Sequence, residues 1–141
     1  MFNPCFIRGL IEPVFKEHAV ALLHGDVTEQ IIGAAFEVYG VLGYGFLESV
    51  YQKSMQVELI RRGLTCKLEE PIRVKYKEVD VGKFEADLLV NDCVIVELKV
   101  TKEYQKSDEA QLLNELKATG IQVGTLINFG RIEVQFQRFV Y

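Results

Sequence analysis

FEADLLVNDCVIVELKV, residues Phe84 to Val100, is the stretch on which the reading of the chain turns. Two apolar runs flank Asn91 and Asp92, residues that tolerate tight turn geometry, and this predicts a β-hairpin. In the second run Val94, Val96, Leu98 and Val100 alternate with Ile95, Glu97 and Lys99. A strand shows alternate residues to opposite faces, so Glu97 and Lys99 project from one side. On the first run Glu85, Asp87 and Leu89 share a face. Two carboxylates and an ammonium converging within otherwise apolar strands are costly unless they bind something.

Whether they converge depends on register. If Asn91 and Asp92 alone form the loop, Val90 faces Cys93, Asp87 faces Val96, and Glu97 points away from Asp87. A three-residue turn that includes Cys93, or a bulge, instead brings Asp87 opposite Glu97. Only the second geometry makes a site.

Around this hairpin the 141 residues read as one domain with a real core: 49% are hydrophobic and 26% charged, as in soluble globular proteins. The formal net charge of −4 gives no global basic field to draw the chain to nucleic acid or anionic lipid. A bound divalent cation, or a local cluster such as Arg73, Lys75 and Lys77, has to compensate in any nucleic-acid role. Cys5, Cys66 and Cys93 are odd in number and lack CxxC spacing, which points to a reducing cytoplasm and away from a disulfide framework or a zinc site. No apolar run reaches membrane-spanning length, and Glu12, Lys16 and Glu17 interrupt the apolar start of the chain, against a signal peptide.

N-terminal to the hairpin, residues 1–25 read as an extension, with a short helix over Val14 to Leu23 ended by Gly25. From Asp26, Ile31, Ala34, Ala35, Val38 and Leu42 recur at helical spacing, with Asp26 or Thr28 able to cap the start. Gly43-Tyr44-Gly45 breaks that helix. A second helix runs from about Leu47 to Arg62, with Leu47, Val50, Tyr51, Val57 or Met55, and Leu59 as its apolar stripe. Glu48 falls in its first turn, where the helix macrodipole favours a carboxylate. Leu64 to Tyr76 reads as extended, with Pro71 confined to an edge or a start and Arg73, Lys75 and Lys77 on a basic outer face. C-terminal to the hairpin, Ser107 or Asp108 can cap a third helix, Glu109 to Thr119, with Leu112, Leu113 and Leu116 inward. Strands over Gln122 to Phe129 and Ile132 to Tyr141 complete an α/β domain over residues 26–141.

Gly45-x-x-Glu48-x-x-Tyr51, then Asp87, a ten-residue step to Glu97, and Glu97-Leu98-Lys99 resemble the GxxExxY protein family, which is grouped with the PD-(D/E)XK nuclease superfamily. Glu109 to Leu113 (EAQLL) and Ile127 to Phe129 (INF) extend the likeness over roughly Asp26 to Phe129. The resemblance implies a restriction-endonuclease-like core, a central mixed sheet flanked by helices in the order αβββαβ. It implies that Asp87, Glu97 and the carbonyl of Leu98 hold Mg²⁺ or Mn²⁺, with Glu48 as an outer or second-metal ligand. By the same resemblance Lys99 orients or deprotonates the attacking water, Gln111 holds metal-bound water or a phosphate, and Tyr51 lies on the substrate side. Hard cations want such oxygen ligands, and phosphodiester hydrolysis needs an activated water and cover for negative charge. The chain departs from the pattern at Glu115, where related helices often carry Tyr four residues after the Gln, and at Glu85, where Arg is expected.

The leading function is therefore a metal-dependent nuclease hydrolysing phosphodiester bonds in single- or double-stranded DNA. The alternative is a catalytically weak or inactive nuclease-fold interaction module, which the net acidity, Glu85 and Glu115 favour. A homodimer or a protein partner is compatible with either.

Overall fold

A computed structural model describes residues 22–141. The expected extension, with its Val14 to Leu23 helix, lies almost wholly outside the described residues. Gly25 does not end a helix but opens one. In order the described elements are α1 (Gly25–Leu42), α2 (Glu48–Arg61), β1 (Cys66–Tyr76), β2 (Val79–Val90), β3 (Val94–Lys99), α3 (Lys106–Thr119), β4 (Val123–Asn128) and β5 (Gln135–Val140). The run from α2 to β4 is the αβββαβ order expected from the resemblance. No described helix is long and apolar enough to cross a membrane.

The strands form one mixed sheet in the order β1-β2-β3-β4-β5. Neighbours pair antiparallel except β3 and β4, which run parallel. A parallel pair needs a long crossover, and α3 supplies it. Pro71 lies in β1, an edge strand, as its missing N–H requires.

Each face of the sheet carries its own core. On one face Ile31 and Ala35 of α1 and Met55 and Leu59 of α2 pack on Leu88, Val96 and Leu98. On the other, Leu112 and Leu116 of α3 pack on Leu89, Ile95 and Leu126. Each fully buried leucine contributes about 1.5–3 kcal/mol of transfer free energy, so both faces of β3 are held and its two side-chain sets are fixed. The apolar stripe of α2 is Tyr51, Met55 and Leu59 with Gln52. Leu47 and Val57 are instead 76% and 56% exposed: Leu47 is the N-cap residue outside the helix, and Val57, two residues from both Met55 and Leu59, lies about 200° round the helix from them. Neither Asp26 nor another side chain caps α1; Thr28 Oγ1 donates to the carbonyls of His24 and Gly25. At α3 the cap is Gln105, in a reciprocal capping box with Asp108.

The ends of β3 and β4 are sutured. Asn128, fully buried, accepts the N–H groups of Thr101 and Gly130 at Oδ1 (3.0 and 2.9 Å) and donates from Nδ2 to the Thr101 carbonyl (2.7 Å). Gly130 lies against the 100–101 peptide, and a Cβ there would stand 2.3 Å from the Thr101 nitrogen. Backbone cannot yield as a side-chain tip can, so Gly130→Ala should lower stability by about 2–4 kcal/mol in urea denaturation. Gly40→Ala, in open space on α1, should raise it by about 0.5–1 kcal/mol. Equal behaviour of the two would refute the close packing at Gly130.

Candidate active site

The hairpin adopts the register that a site requires. Val90 pairs with Val94, Leu89 with Ile95 and Leu88 with Val96. Asn91 and Asp92 take φ of 51° and 56°, and the Cys93 N–H donates to the Val90 carbonyl at 3.0 Å. These are the marks of a type I′ turn followed by Cys93 as the extra, bulged residue. That one residue shifts β3 so that Asp87 comes opposite Glu97.

Beyond Leu88 and Val96 the strand pairing stops, and side chains replace it. Asp87 Oδ2 accepts the Leu98 N–H at 2.8 Å, and Glu97 Oε2 accepts the Asp87 N–H at 3.3 Å. The β1–β2 ribbon turns over at the same level. Leu88 belongs to the core under α1 and α2, whereas Ala86, of the same alternation, belongs to the core under α3. Glu69, between Leu68 and Glu70 on the neighbouring strand, has φ of 52°. Asp87 therefore sits at a twist, directed along the sheet towards β3. Gln52, one helical turn after Glu48, donates to the Asp87 carbonyl at 3.0 Å and holds the twist in place.

Glu97, in phase with Ile95, faces α3 and is only 4% exposed. There it meets Glu115, which is fully buried. Glu115 Oε2 accepts from Gln111 Nε2 at 3.1 Å, while its Oε1 has no hydrogen-bond partner. Two buried carboxyls in contact are stable only with a proton or a cation between them. Burial first, then the hydrogen-bonding contact with Glu115 and the charge of Asp87, push the Glu97 carboxyl up to about 11. Glu48, half-buried, is also raised, by burial and by the charge of Asp87, with Lys99 acting in the opposite sense. Lys99 projects to the α3 side and pairs with Asp108 at 3.5 Å.

Five of the residues expected at the site thus gather around the parted strands: Asp87, Glu97, Lys99, Gln111 and, through its electrostatic coupling, Glu48. The Leu98 backbone lies between Glu97 and Lys99 with its N–H held by Asp87. Tyr51 does not join them. It is fully buried, stacked on Phe129 with ring centroids 4.5 Å apart, and its hydroxyl donates to the Gly43 carbonyl at 2.5 Å. Its place is to pin the turn before α2, in which Gly45 takes a φ of 108°; it has no face left for substrate. Gln52 and the burial of Glu115 are not read from the sequence, and Asp108 is read there only as a helix cap. The signal for the last two was present, since residues 108, 111 and 115 line one face of a helix.

Among the described residues no three His, Cys, Asp or Glu side chains form a ready-made ligating cluster. The donor chemistry nevertheless fits a hard divalent cation. The orphaned Glu115 oxygen and the Glu97 carboxyl lack positive charge, and such ions take few carboxylates and complete their shell with water.

The family model that matches the chain is that of the PD-(D/E)XK nuclease superfamily, over residues 25–139. Similar solved structures include the crystal structure of SSO0001, at 12% identity and a TM-score of 0.47, covering 83% of this chain and 79% of that one. Another is an alkaline exonuclease (LHK-Exo) from Laribacter hongkongensis, at 12% identity and a TM-score of 0.44, covering 80% and 81%. No curated protein matches.

The Glu97 carboxyl gives a pH signature. Its ordinary value is 4.5 and its folded, metal-free value about 11, so the folded state keeps a proton that the unfolded chain releases. Stability from this group is complete below the unfolded value and is lost as pH rises towards the folded one. Urea midpoints of metal-free protein should fall between about pH 5 and about pH 9, and Glu97→Gln, neutral throughout, should flatten the fall. Matching slopes would mean that the proton resides elsewhere.

Proposed function

Because this chain belongs to the PD-(D/E)XK nuclease superfamily, with the mixed sheet and flanking helices of a restriction-endonuclease-like core, we propose that it is a divalent-metal-dependent phosphodiester hydrolase acting on DNA, of the GxxExxY branch, with residues 26–141 as its catalytic domain. The observation that carries this reading is the exchange in which the Asp87 and Glu97 carboxylates each take a backbone N–H of the other's strand. Such an arrangement fixes two acidic side chains at the point where the sheet opens, with Lys99 two residues on. A reducing cytoplasm suits the free, buried Cys66.

Asp87, Glu97 and the Leu98 carbonyl would hold Mg²⁺ or Mn²⁺, with Glu48 as an outer or second-metal ligand; bound there, the ion would supply Lewis acidity and an acidified water. Glu97 must give up its proton to serve as a ligand, so uptake of metal releases acid. Lys99, freed from Asp108 by the incoming phosphate, orients the attacking water and offsets negative charge on the scissile group. Gln111 donates to Glu115 at 3.1 Å, and it would hold a water or a phosphate of the substrate.

The contact between Glu97 and Glu115 also supports a second reading, an interaction module with little or no turnover. In that reading the two carboxyls share a proton permanently, and Lys99 stays paired with Asp108.

Millimolar Mn²⁺ or Mg²⁺ should stabilise the wild type by RT ln(1 + [L]/Kd) and so raise its melting temperature, and Asp87→Asn should abolish the rise. An equal rise in both proteins would locate the metal elsewhere. Lys99→Ala should keep its metal affinity within a few-fold while slowing Mn²⁺-dependent DNA cleavage by about a hundredfold or more. If neither wild type nor Glu115→Gln cleaves any single- or double-stranded DNA with either metal, the interaction module becomes the correct reading.

A further inference from the structure

Beyond the twist at Asp87 the β1–β2 ribbon continues as an arm that leaves the core. Between this arm and the C-terminal half of α3 runs a groove of about 750 Å³. Its walls include Arg73, Lys75, Val81 and Phe84 from the arm and Asn114 and Lys117 from α3. Among the described residues three cations and no carboxylate line it, in a chain whose net charge is −4. Asp80 pairs with Arg73 at 3.6 Å and with Lys75 at 4.0 Å. These are exposed contacts of little energy, and one carboxylate between two cations leaves positive charge over.

The apolar part of the groove is unspent. Phe84 is 39% exposed and Val81 60%. A surface that offers an aromatic ring and aliphatic floor beside separate cations matches a strand with unstacked bases and a charged backbone. A duplex hides its base faces and would meet only the cations. The groove also leads to the carboxylates by two routes. Phe84 is three residues from Asp87 on the same strand, about 10 Å along it. Gln111, Asn114 and Ala118 follow one another on one face of α3, so the stripe that begins beside Glu115 continues into the groove wall.

We propose that the groove between the β1–β2 arm and α3 is the track on which a single-stranded nucleic acid lies as it enters the Asp87–Glu97 site. This rests on the phosphodiester-hydrolase reading, because the strand in the track is the substrate of that site.

Anisotropy of a fluorescent oligothymidine about twenty nucleotides long, with EDTA present so that nothing is cleaved, tests the track apart from the chemistry. Wild type should bind it more tightly than a duplex of equal length, and added salt should weaken binding. Lys117→Glu and Phe84→Ala should each weaken binding by about fivefold or more, Lys117→Glu also lowering the salt dependence. Lys53→Glu, on the exposed surface of α2 away from the arm, should leave it unchanged. No binding by wild type, equal binding by the groove variants, or a groove variant that alters only the oligomeric state in light scattering would each overturn the proposal. The two readings fail separately. Binding confined to the groove without cleavage in any metal would keep the track and remove the hydrolase; Mn²⁺-dependent cleavage with KM unchanged in both groove variants would do the reverse.

Discussion

The rest of the structure depends on a substitution in the sheet: carboxylates take the place of carbonyls where β2 and β3 part. An antiparallel pair that simply stopped at Leu88 and Val96 would leave the N–H groups of Asp87 and Leu98 without partners, each at a cost of about 1–3 kcal/mol if buried. Glu97 and Asp87 answer them. The sheet can therefore open without losing its hydrogen bonds, and the opening holds two acids in fixed positions. The same contacts explain why Glu97 tolerates burial at all: one oxygen has a backbone donor, and burial with Glu115 beside it raises its carboxyl far above the usual range, so that it is not buried as a bare charge.

Two helices flank this opening, and each is set by a local device. Gly45 permits the turn before α2, and the Tyr51 hydroxyl ties that turn back through Gly43. The ring of Tyr51 stacks on Phe129 at the end of β4, so the first turn of α2 is anchored to the sheet and Glu48 with it. The spacing Gly45, Glu48, Tyr51 is thus a mechanical unit that sets where Glu48 stands. On the other face, the capping box at Gln105 fixes the start of α3, and its Asp108 both caps the helix and faces Lys99.

The helices, the strand order of the hairpin and the residues Asp87, Glu97 and Lys99 were legible in the sequence because periodicity and alternation report burial directly. The register was not, because Asn91 and Asp92 suit a two-residue turn, and only the structure shows Cys93 added as a bulge. Glu115 reads in the sequence as a charge that departs from the helix pattern of the relatives, but its full burial does not, because a carboxylate's burial depends on a partner that spacing alone does not show. Gln52 was hidden in the same way, its amide spent on the Asp87 carbonyl. Leu47 erred in the other direction, since hydrophobicity alone cannot tell the residue that caps a helix from the first that it buries.

The break in the β1–β2 ribbon has a further effect, on solubility. β1 is an outer strand, and an uninterrupted outer strand invites another chain to pair along it and nucleate aggregates. Here Pro71 withholds one backbone donor, and Glu69, two residues earlier, bends the line with its φ of 52°. A foreign strand would lose its ladder twice within three residues. The feature that turns Asp87 towards β3 therefore also makes the exposed edge of the arm a poor template for a foreign strand.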